Sequence, residues 1–271
     1  MSAPPPTPRD RLPAPGAPLT GATAAVTSVL RDDGVRDTVA VEEPLEIRVD
    51  GEPVAVTMRT PGHDEELALG FLHGEGLIGE AVPVGLTEDL AGNIVEVAGP
   101  LARELAPRRF YTSSSCGVCG RGAIEEVAVH AEPAAPGPVL ERGLLAELPE
   151  RLIQPGFART GGLHATGLFD AQGELLCVRE DVGRHNAMDK VIGWAMLTGL
   201  LPLHGRLLCV SGRLSFELVQ KAAVAGAPLL VGVGAPSSLA IELAASSGLT
   251  LCGFARAGRV NVYTAPERVV G

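Results

Sequence analysis

The chain has 271 residues, with 32 acidic against 22 basic side chains and a net charge of -10, a balance that argues against the clustered lysines and arginines of a nucleic-acid surface. Hydrophobic residues reach 46% while aromatics are only 3%, so the core must be aliphatic and alanine-rich, as suits parallel strands covered by helices. Five cysteines, an odd number with no secretion signal ahead of them, argue against a disulfide framework and for reduced thiols in a cytoplasmic protein.

The opening "MSAPPPTPRDRLPAPGAPLTG" holds seven of the 22 prolines and no apolar run, which predicts a disordered tail over residues 1–22 rather than a signal peptide or helix. "EPLEIRVDGEPVAVTMRT" predicts two strands joined at Asp50-Gly51, a two-residue hairpin signal. "PGHDEELALGFLHGEGLI" predicts a helix with carboxylates in its first turn, where the helix dipole favours them. Short strands follow at "NIVEVAG" and "RRFYTSS". An amphipathic helix is expected from Leu140 to Gln154, kinked or interrupted at Pro149.

Beyond it three segments look alike: "GELLCV", "GRLLCV" and "GLTLCG". Each is a short apolar run, and the polar residues that follow include Arg179-Glu180-Asp181, Ser211-Gly212-Arg213 and Arg256. Helical patterns lie between them at Arg184 to Leu197, Ser215 to Ala225 and Pro236 to Ser246, and "APLLVGVG" supplies another buried strand. This alternation predicts an α/β sheet, probed by ligands beyond the carboxyl ends of its strands. The apolar stretch from Leu229 to Phe254 is too broken by glycines, Pro236 and Glu242 to be a membrane span.

Cys177, Cys209 and Cys252 lie inside apolar strands and are expected to act as small core hydrophobes. Cys116 and Cys119 differ, because "SSSCGVCGR" surrounds them with serine and glycine. Exposed backbone N–H groups and Arg121 could lower a thiol pKa there and make an active thiolate. Gly117 and Gly120 would give the loop its freedom. A C-x-x-C can also hold zinc or cycle as a dithiol. "HDE" at His63 to Glu65 imitates the first half of a zinc deaminase signature, but Ser115 rather than proline precedes Cys116, which disfavours metal ligation. A dithiol redox motif would be expected at the first strand–helix turn, not after some 110 residues.

"REDVGRHNAMDKVIGWA" is the most polar entry into a helix. Starting at Arg184, that helix pairs His185 with Asp189 and Asn186 with Lys190 at i,i+4, on a face that is either solvated or functional. Ser211, Gly212 and Arg213 in "VSGRLSFE" could offer N–H groups and a guanidinium to an anion, and Arg256 and Arg259 in "GFARAGRVN" offer two more forks.

"EPLEIRVDG", "TPGHDEELALGFLHGEGLI", "SSSCGVCGR", "GGLHATGLFD", "EDVGRHNAMDKVIGWA", "VSGRLSFELVQKAA" and "GFARAGRVNVYT", in this order, resemble the formate dehydrogenase accessory sulfurtransferases of the FdhD family, from about Val39 to Thr264. The resemblance implies delivery of persulfide sulfur from a cysteine desulfurase to a molybdenum or tungsten cofactor carrying two pyranopterin guanine dinucleotides, Mo-bis(molybdopterin guanine dinucleotide) or its tungsten analogue. That cofactor is the bound acceptor, destined for formate dehydrogenase. It implies that Cys116 carries the persulfide, that Cys119 assists, and that Phe254, Ala255, Arg256, Ala257, Gly258 and Arg259 bind the cofactor. Ser211, Gly212 and Arg213 are expected to help anchor it, with Asp181 and His185 positioning the cofactor or a water. No metal site of the protein's own, no nucleic-acid partner and no membrane partner are expected, and the family assembles as homodimers. The implied fold is a three-layer, cytidine-deaminase-like α/β sheet over 111–271, which includes the cysteine loop, with a smaller β-rich subdomain over 23–110. A zinc-dependent deaminase-like hydrolase and a noncatalytic cofactor-binding chaperone are the alternatives.

Overall fold

A computed structural model describes residues 25–86, 93–102 and 137–271. The tail, the "RRFYTSS" strand and the loop with Cys116 and Cys119 lie outside the described residues.

A hairpin of β1 (Val26–Leu30) and β2 (Arg36–Ala40) leads into a four-stranded sheet. It contains β3 (Glu43–Val49), β4 (Glu52–Arg59), β5 (Val84–Leu86) and β6 (Ile94–Val97), in the order β4-β3-β6-β5. The Asp50-Gly51 turn forms as its sequence demands, with φ of 49° and 83°, the left-handed pair that a two-residue hairpin loop requires. Helix α1 (Asp64–Gly74) packs Leu67, Leu69 and Leu72 against Leu45, Ile47, Val95 and Val97. Its first turn carries Asp64, Glu65 and Glu66, and Arg59 reaches Asp64 with two hydrogen bonds of 3.0 and 2.8 Å.

The second part begins with β7 (Leu140–Glu141) and α2 (Arg142–Glu147), followed by a 3-10 turn at Leu148–Arg151 and α3 (Pro155–Thr160). One interrupted helix over 140–154 was expected; Leu140 instead pairs with Val269 of β14 (Val269–Val270), and Pro149 enters the 3-10 turn, where its missing N–H costs nothing. The main sheet comprises β8 (His164–Phe169), β9 (Leu175–Asp181), β10 (Leu207–Val210), β11 (Leu229–Gly232), β12 (Thr250–Arg256) and β13 (Arg259–Val262), in the order β13-β12-β11-β10-β8-β9. The central β10, β11 and β12 run parallel, while β8, β9 and β13 are antiparallel to their neighbours.

Helices α4 (Arg184–Leu197), α5 (Phe216–Val224) and α6 (Ser238–Ser246) cover one face. Met188, Val191, Ile192, Leu218, Ala222 and Ala240 there meet Leu168, Leu208, Leu230 and Leu251 of the sheet. On the opposite face Leu145, Leu148 and Leu152 meet Phe169, Leu207, Cys209, Val231 and Cys252. The architecture is therefore mixed α/β with helices on both faces of the large sheet and a separate small sheet.

The polar side of α4 is where the structure departs most from a solvated helix face. Asn186, Asp189 and Lys190 are all buried, because α1 lies across α4. The two helices touch backbone to backbone: a methyl on Gly70 would collide with the Asp189 carbonyl, and one on Gly193 with the Glu66 carbonyl. The charged groups Glu66, Asp189 and Lys190 sealed by this crossing each have an ion-pair partner, as burial requires. Lys190 Nζ meets Asp181 at 2.7 Å and donates to the Thr60 carbonyl at 2.8 Å, while Lys221 of α5 meets Asp189 at 2.8 Å. Glu66 of α1 takes two hydrogen bonds from Arg179 of β9, at 2.6 and 2.7 Å.

Candidate functional site

The carboxyl ends of β10, β11 and β12 and the adjoining ends of β8 and β9 gather the polar residues along one edge of the large sheet. The loops after β10 and β11 are zipped together. Gly234 N–H donates to the Gly212 carbonyl at 2.9 Å, Leu214 N–H to that of Ala235 at 3.0 Å, and Ser237 N–H to that of Leu214 at 3.0 Å. Gly234 has to be glycine, since a methyl there would lie 2.9 Å from Arg213 Cα. Ser211 Oγ accepts from Ala165 N–H at 2.9 Å and its own N–H donates to the Ala165 carbonyl, so this serine pins β8 to the end of β10. Arg213 is exposed beside it.

Helix α5 begins at this rim. Ser215 is its N-cap residue, but its hydroxyl lies 3.1 Å from His185 Nε2 and 3.2 Å from Glu217 Oε2. His185 Nε2 lies 3.0 Å from the same Glu217 oxygen, closing a triangle across α4 and α5. The bond from His185, more than any other influence, pulls the Glu217 carboxyl down to about 2. The expected i,i+4 partner of His185, Asp189, is turned instead to Lys221.

Asp181 sits at the end of β9, fully buried, and works inward. It accepts hydrogen bonds from the N–H groups of Thr60 at 3.1 Å and Gly183 at 2.8 Å, and from Asn186 Nδ2 at 3.1 Å. These bonds and the Lys190 ion pair fix the turn that launches α4, so Asp181 holds Arg184 and His185 in place through the backbone.

Phe254 through Arg259 form the last part of the rim. Phe254 is 40% exposed with φ of 55°, and its N–H is held by the Gly234 carbonyl at 3.1 Å. Ala255 faces the core on the α2 side. Ala257 and Gly258, at φ of 49° and 73°, make a two-residue hairpin turn that sets Arg256 and Arg259 opposite each other, both exposed. Two like charges directly opposed are unfavourable alone, and an anion between them relieves this.

His164 and Arg184 also belong to this edge. His164 opens β8 in register with Asp181, with its ring against Gly212. Burial first, then the charges of Arg184, His185 and Arg213, hold its imidazole below the usual histidine range, with Asp181 acting the other way. Arg184 Nε is buried with no hydrogen-bond partner among the described residues. Such an orphaned donor, next to two further cationic side chains, fits an anionic ligand. His164 is not flagged by the sequence because "HATGLF", with its alanine and glycine, does not announce a strand. The roles of Ser215 and Glu217 depend on a contact between two helices about 30 positions apart, which no local spacing reveals.

The three described cysteines are all buried. Burial pushes the thiols of Cys177 and Cys252 up to about 12 and that of Cys209 higher still, so none forms a thiolate near neutral pH. Among the described residues no group of three His, Cys, Asp or Glu side chains is placed to hold a metal ion, and no helix is long and apolar enough to cross a membrane.

Fold and edge together define an α/β protein that gathers cationic groups at the carboxyl ends of its parallel strands. Residues 40–270 match the FdhD/NarQ family. The sulfur carrier protein FdhD of Streptomyces avermitilis is 49% identical over 261 residues, covering 89% of this chain and 93% of its own. That of Mycolicibacterium paratuberculosis is 51% identical over 250 residues, covering 86% and 92%. A crystal structure described as a formate dehydrogenase accessory protein, from Desulfotalea psychrophila, superposes with a TM-score of 0.72 at 28% identity, covering 92% of this chain and 99% of that one. This chain belongs to the FdhD/NarQ family.

Proposed function

We propose that this chain is a sulfurtransferase that accepts persulfide sulfur from a cysteine desulfurase on Cys116. It passes the sulfur to a bis(pyranopterin guanine dinucleotide) molybdenum or tungsten cofactor bound as acceptor substrate, in the service of formate dehydrogenase. In this reading the Cys116 thiolate attacks the terminal sulfur of the desulfurase persulfide, and the desulfurase cysteine leaves as its thiolate. Cys119, three positions further along the same glycine-flanked stretch of sequence, assists. The acceptor's phosphates are anchored by Arg256, Arg259 and Arg213, with Phe254 beside them and backbone N–H groups near Ser211 and Gly212 assisting. The helix–sheet–helix stacking is read as cytidine-deaminase-like, and the working protein as a cytoplasmic homodimer.

The observation that carries this reading is the contrast among the thiols. Three of the five cysteines are sealed in strands with their thiols held protonated, which leaves Cys116 and Cys119 in a serine- and glycine-rich setting as the candidates for sulfur chemistry. The sulfur-carrier names of relatives near 50% identity support the same assignment.

Intact-protein and peptide mass spectrometry after incubation with a desulfurase and free cysteine tests it. One added sulfur on Cys116 is expected, lost in Cys116→Ala, which retains guanosine diphosphate binding. The triple variant Cys177→Ala, Cys209→Ala, Cys252→Ala should still accept sulfur. Wild-type transfer by Cys116→Ala removes Cys116 from the mechanism; no persulfide on any cysteine leaves a binding chaperone; one tightly held zinc per chain by elemental analysis turns the reading toward a deaminase.

A further inference from the structure

The charge of the chain is not shared evenly between its two parts. Residues 25–86 and 93–102, which build the β1–β2 hairpin, the small sheet and α1, hold 14 acidic against 4 basic side chains. Residues 137–271 hold 11 against 12. The small part therefore carries a negative field of its own. Its arginines do not offset that field from outside: Arg48 is committed to Glu46 at 2.7 Å and Arg59 to Asp64 at 2.8 Å.

The same part has an uncovered sheet face. Helix α1 takes the side of the small sheet that bears Leu45, Ile47, Val95 and Val97. Side chains alternate along a strand, so the residues between these point away from α1. Among the described residues no helix packs on that outer side. Register sets Pro44 beside Met58, Glu46 between Val56 and Ile94, and Arg48 beside Glu96. Pro44, Met58, Val56 and Ile94 make an apolar strip, with Met58 38% exposed, where the solvent side of a sheet ordinarily turns polar. Glu42, Asp50 and Glu52 stand exposed at the two ends of the β3–β4 pair. An apolar centre inside a charged rim is the make-up of a protein docking surface.

We propose that this face docks a protein with a basic surface, and that this protein is the sulfur donor. The donor's identity rests on the sulfurtransferase reading; the open face and its charge do not. A second copy of this chain does not suit the face, because an isologous contact would set the same acidic surface against itself. The anionic acceptor suits the arginine rim of the large sheet instead. A donor met anew at every round of loading gains from attraction at a distance and from quick release. Charged surfaces supply this through association rate more than through affinity.

The test follows association of the full chain with a purified cysteine desulfurase at about 50 mM and about 300 mM salt, between which the screening length falls about twofold. The association rate should drop about tenfold over that range. Glu46→Gln combined with Glu96→Gln keeps the hydrogen bonds from Arg48 Nε and Gly51 N–H, since an amide oxygen still accepts them, but leaves Arg48 as the only charge of the strip. That double variant should associate about tenfold more slowly at low salt and lose most of the salt dependence. Met58→Ser should shorten the lifetime of the complex about fivefold and leave the salt dependence as it was. Glu174→Gln with Glu242→Gln removes the same charge from exposed positions on the large part, and should change the rate less than about twofold. Glu52→Lys, at an exposed position, replaces the double variant should that one fail to fold.

Association that ignores the small-sheet substitutions, or is slowed as much by the control pair, overturns the docking surface. So does a dimer of the wild-type chain that Met58→Ser makes monomeric, or slower binding of formate dehydrogenase with desulfurase binding intact, since either gives the face to another occupant. Sulfur loading of Cys116 that proceeds unchanged in the double variant, below saturation, overturns the surface and leaves the sulfurtransferase reading standing. Salt-dependent desulfurase binding that the double variant weakens, with no sulfur reaching Cys116, supports the surface and removes that reading.

Discussion

Asp181 and Lys190 face each other at 2.7 Å with side-chain exposures of 0% and 1%, nine residues apart in sequence and sealed by a different part of the chain. Lys190 also reaches the Thr60 carbonyl, and Asp181 the Thr60 N–H, so one ion pair joins the small sheet to the turn that begins α4. Replacing a buried pair with apolar residues can be neutral, but removing one partner strands a charge.

Lys190→Met is therefore expected to cost about 3–5 kcal/mol in urea unfolding, the usual penalty for an uncompensated buried charge. Guanosine diphosphate binding should weaken with it, because the turn carrying Arg184 and His185 loses its anchor. A loss under about 1 kcal/mol, in the range of an exposed ion pair, would show that water reaches the site.

Gly193→Ala should be more damaging than an alanine usually is in a helix. In an exposed helix that substitution stabilises by roughly 0.5–1 kcal/mol. Here the new methyl strikes the Glu66 backbone, which has no flexible side chain to move aside. A destabilisation of about 2 kcal/mol or more is expected from overpacking, read from the denaturant midpoint. The sign is the test, since a stabilised variant would mean that α1 and α4 do not cross this closely.

Glu217 makes an acid-side prediction. Its carboxyl is drawn from the ordinary glutamate value of 4.5 down to about 2, above all by the bond from His185. A depressed folded pKa gives stability that is fully present above about pH 4.5 and lost as pH falls toward about 2. Glu217→Gln should show a shallower loss of stability over that window in urea titrations. The side chain is 41% exposed, so solvent screens the effect and the difference should be modest. Parallel curves for the two proteins would dissolve the proposed His185–Glu217 link.

Much of this architecture was legible because local rules decided it. Asp50-Gly51 made its hairpin, Arg184 to Leu197 formed the helix its pattern called for, and Cys177, Cys209 and Cys252 went into the core like the aliphatic residues around them. The arginines of "GFARAGRVN" also came to the sheet edge as expected. The errors came from tertiary contacts. The face with Asn186 and Lys190 was left open between solvated and functional, because nothing within α4 reveals that α1 will lie on it or that Gly193 is where the two backbones meet. β8 was missed because its alanine and glycine are held in the strand by neighbours on both sides rather than by local propensity. Cys116 and Cys119 were conspicuous in the sequence, but they lie outside the described residues.

The glycine-lined crossing of α1 over α4 also limits how the polypeptide can be divided. A fragment beginning at residue 137 would open Asp181, Asp189 and Lys190 to water and strip Leu67 and Leu72 from beside Met196. The complementary piece would lose the floor under its only long helix among the described residues. Two halves made separately would each start with a wet, charged seam, and recovering one working molecule from them would demand docking before either had finished folding.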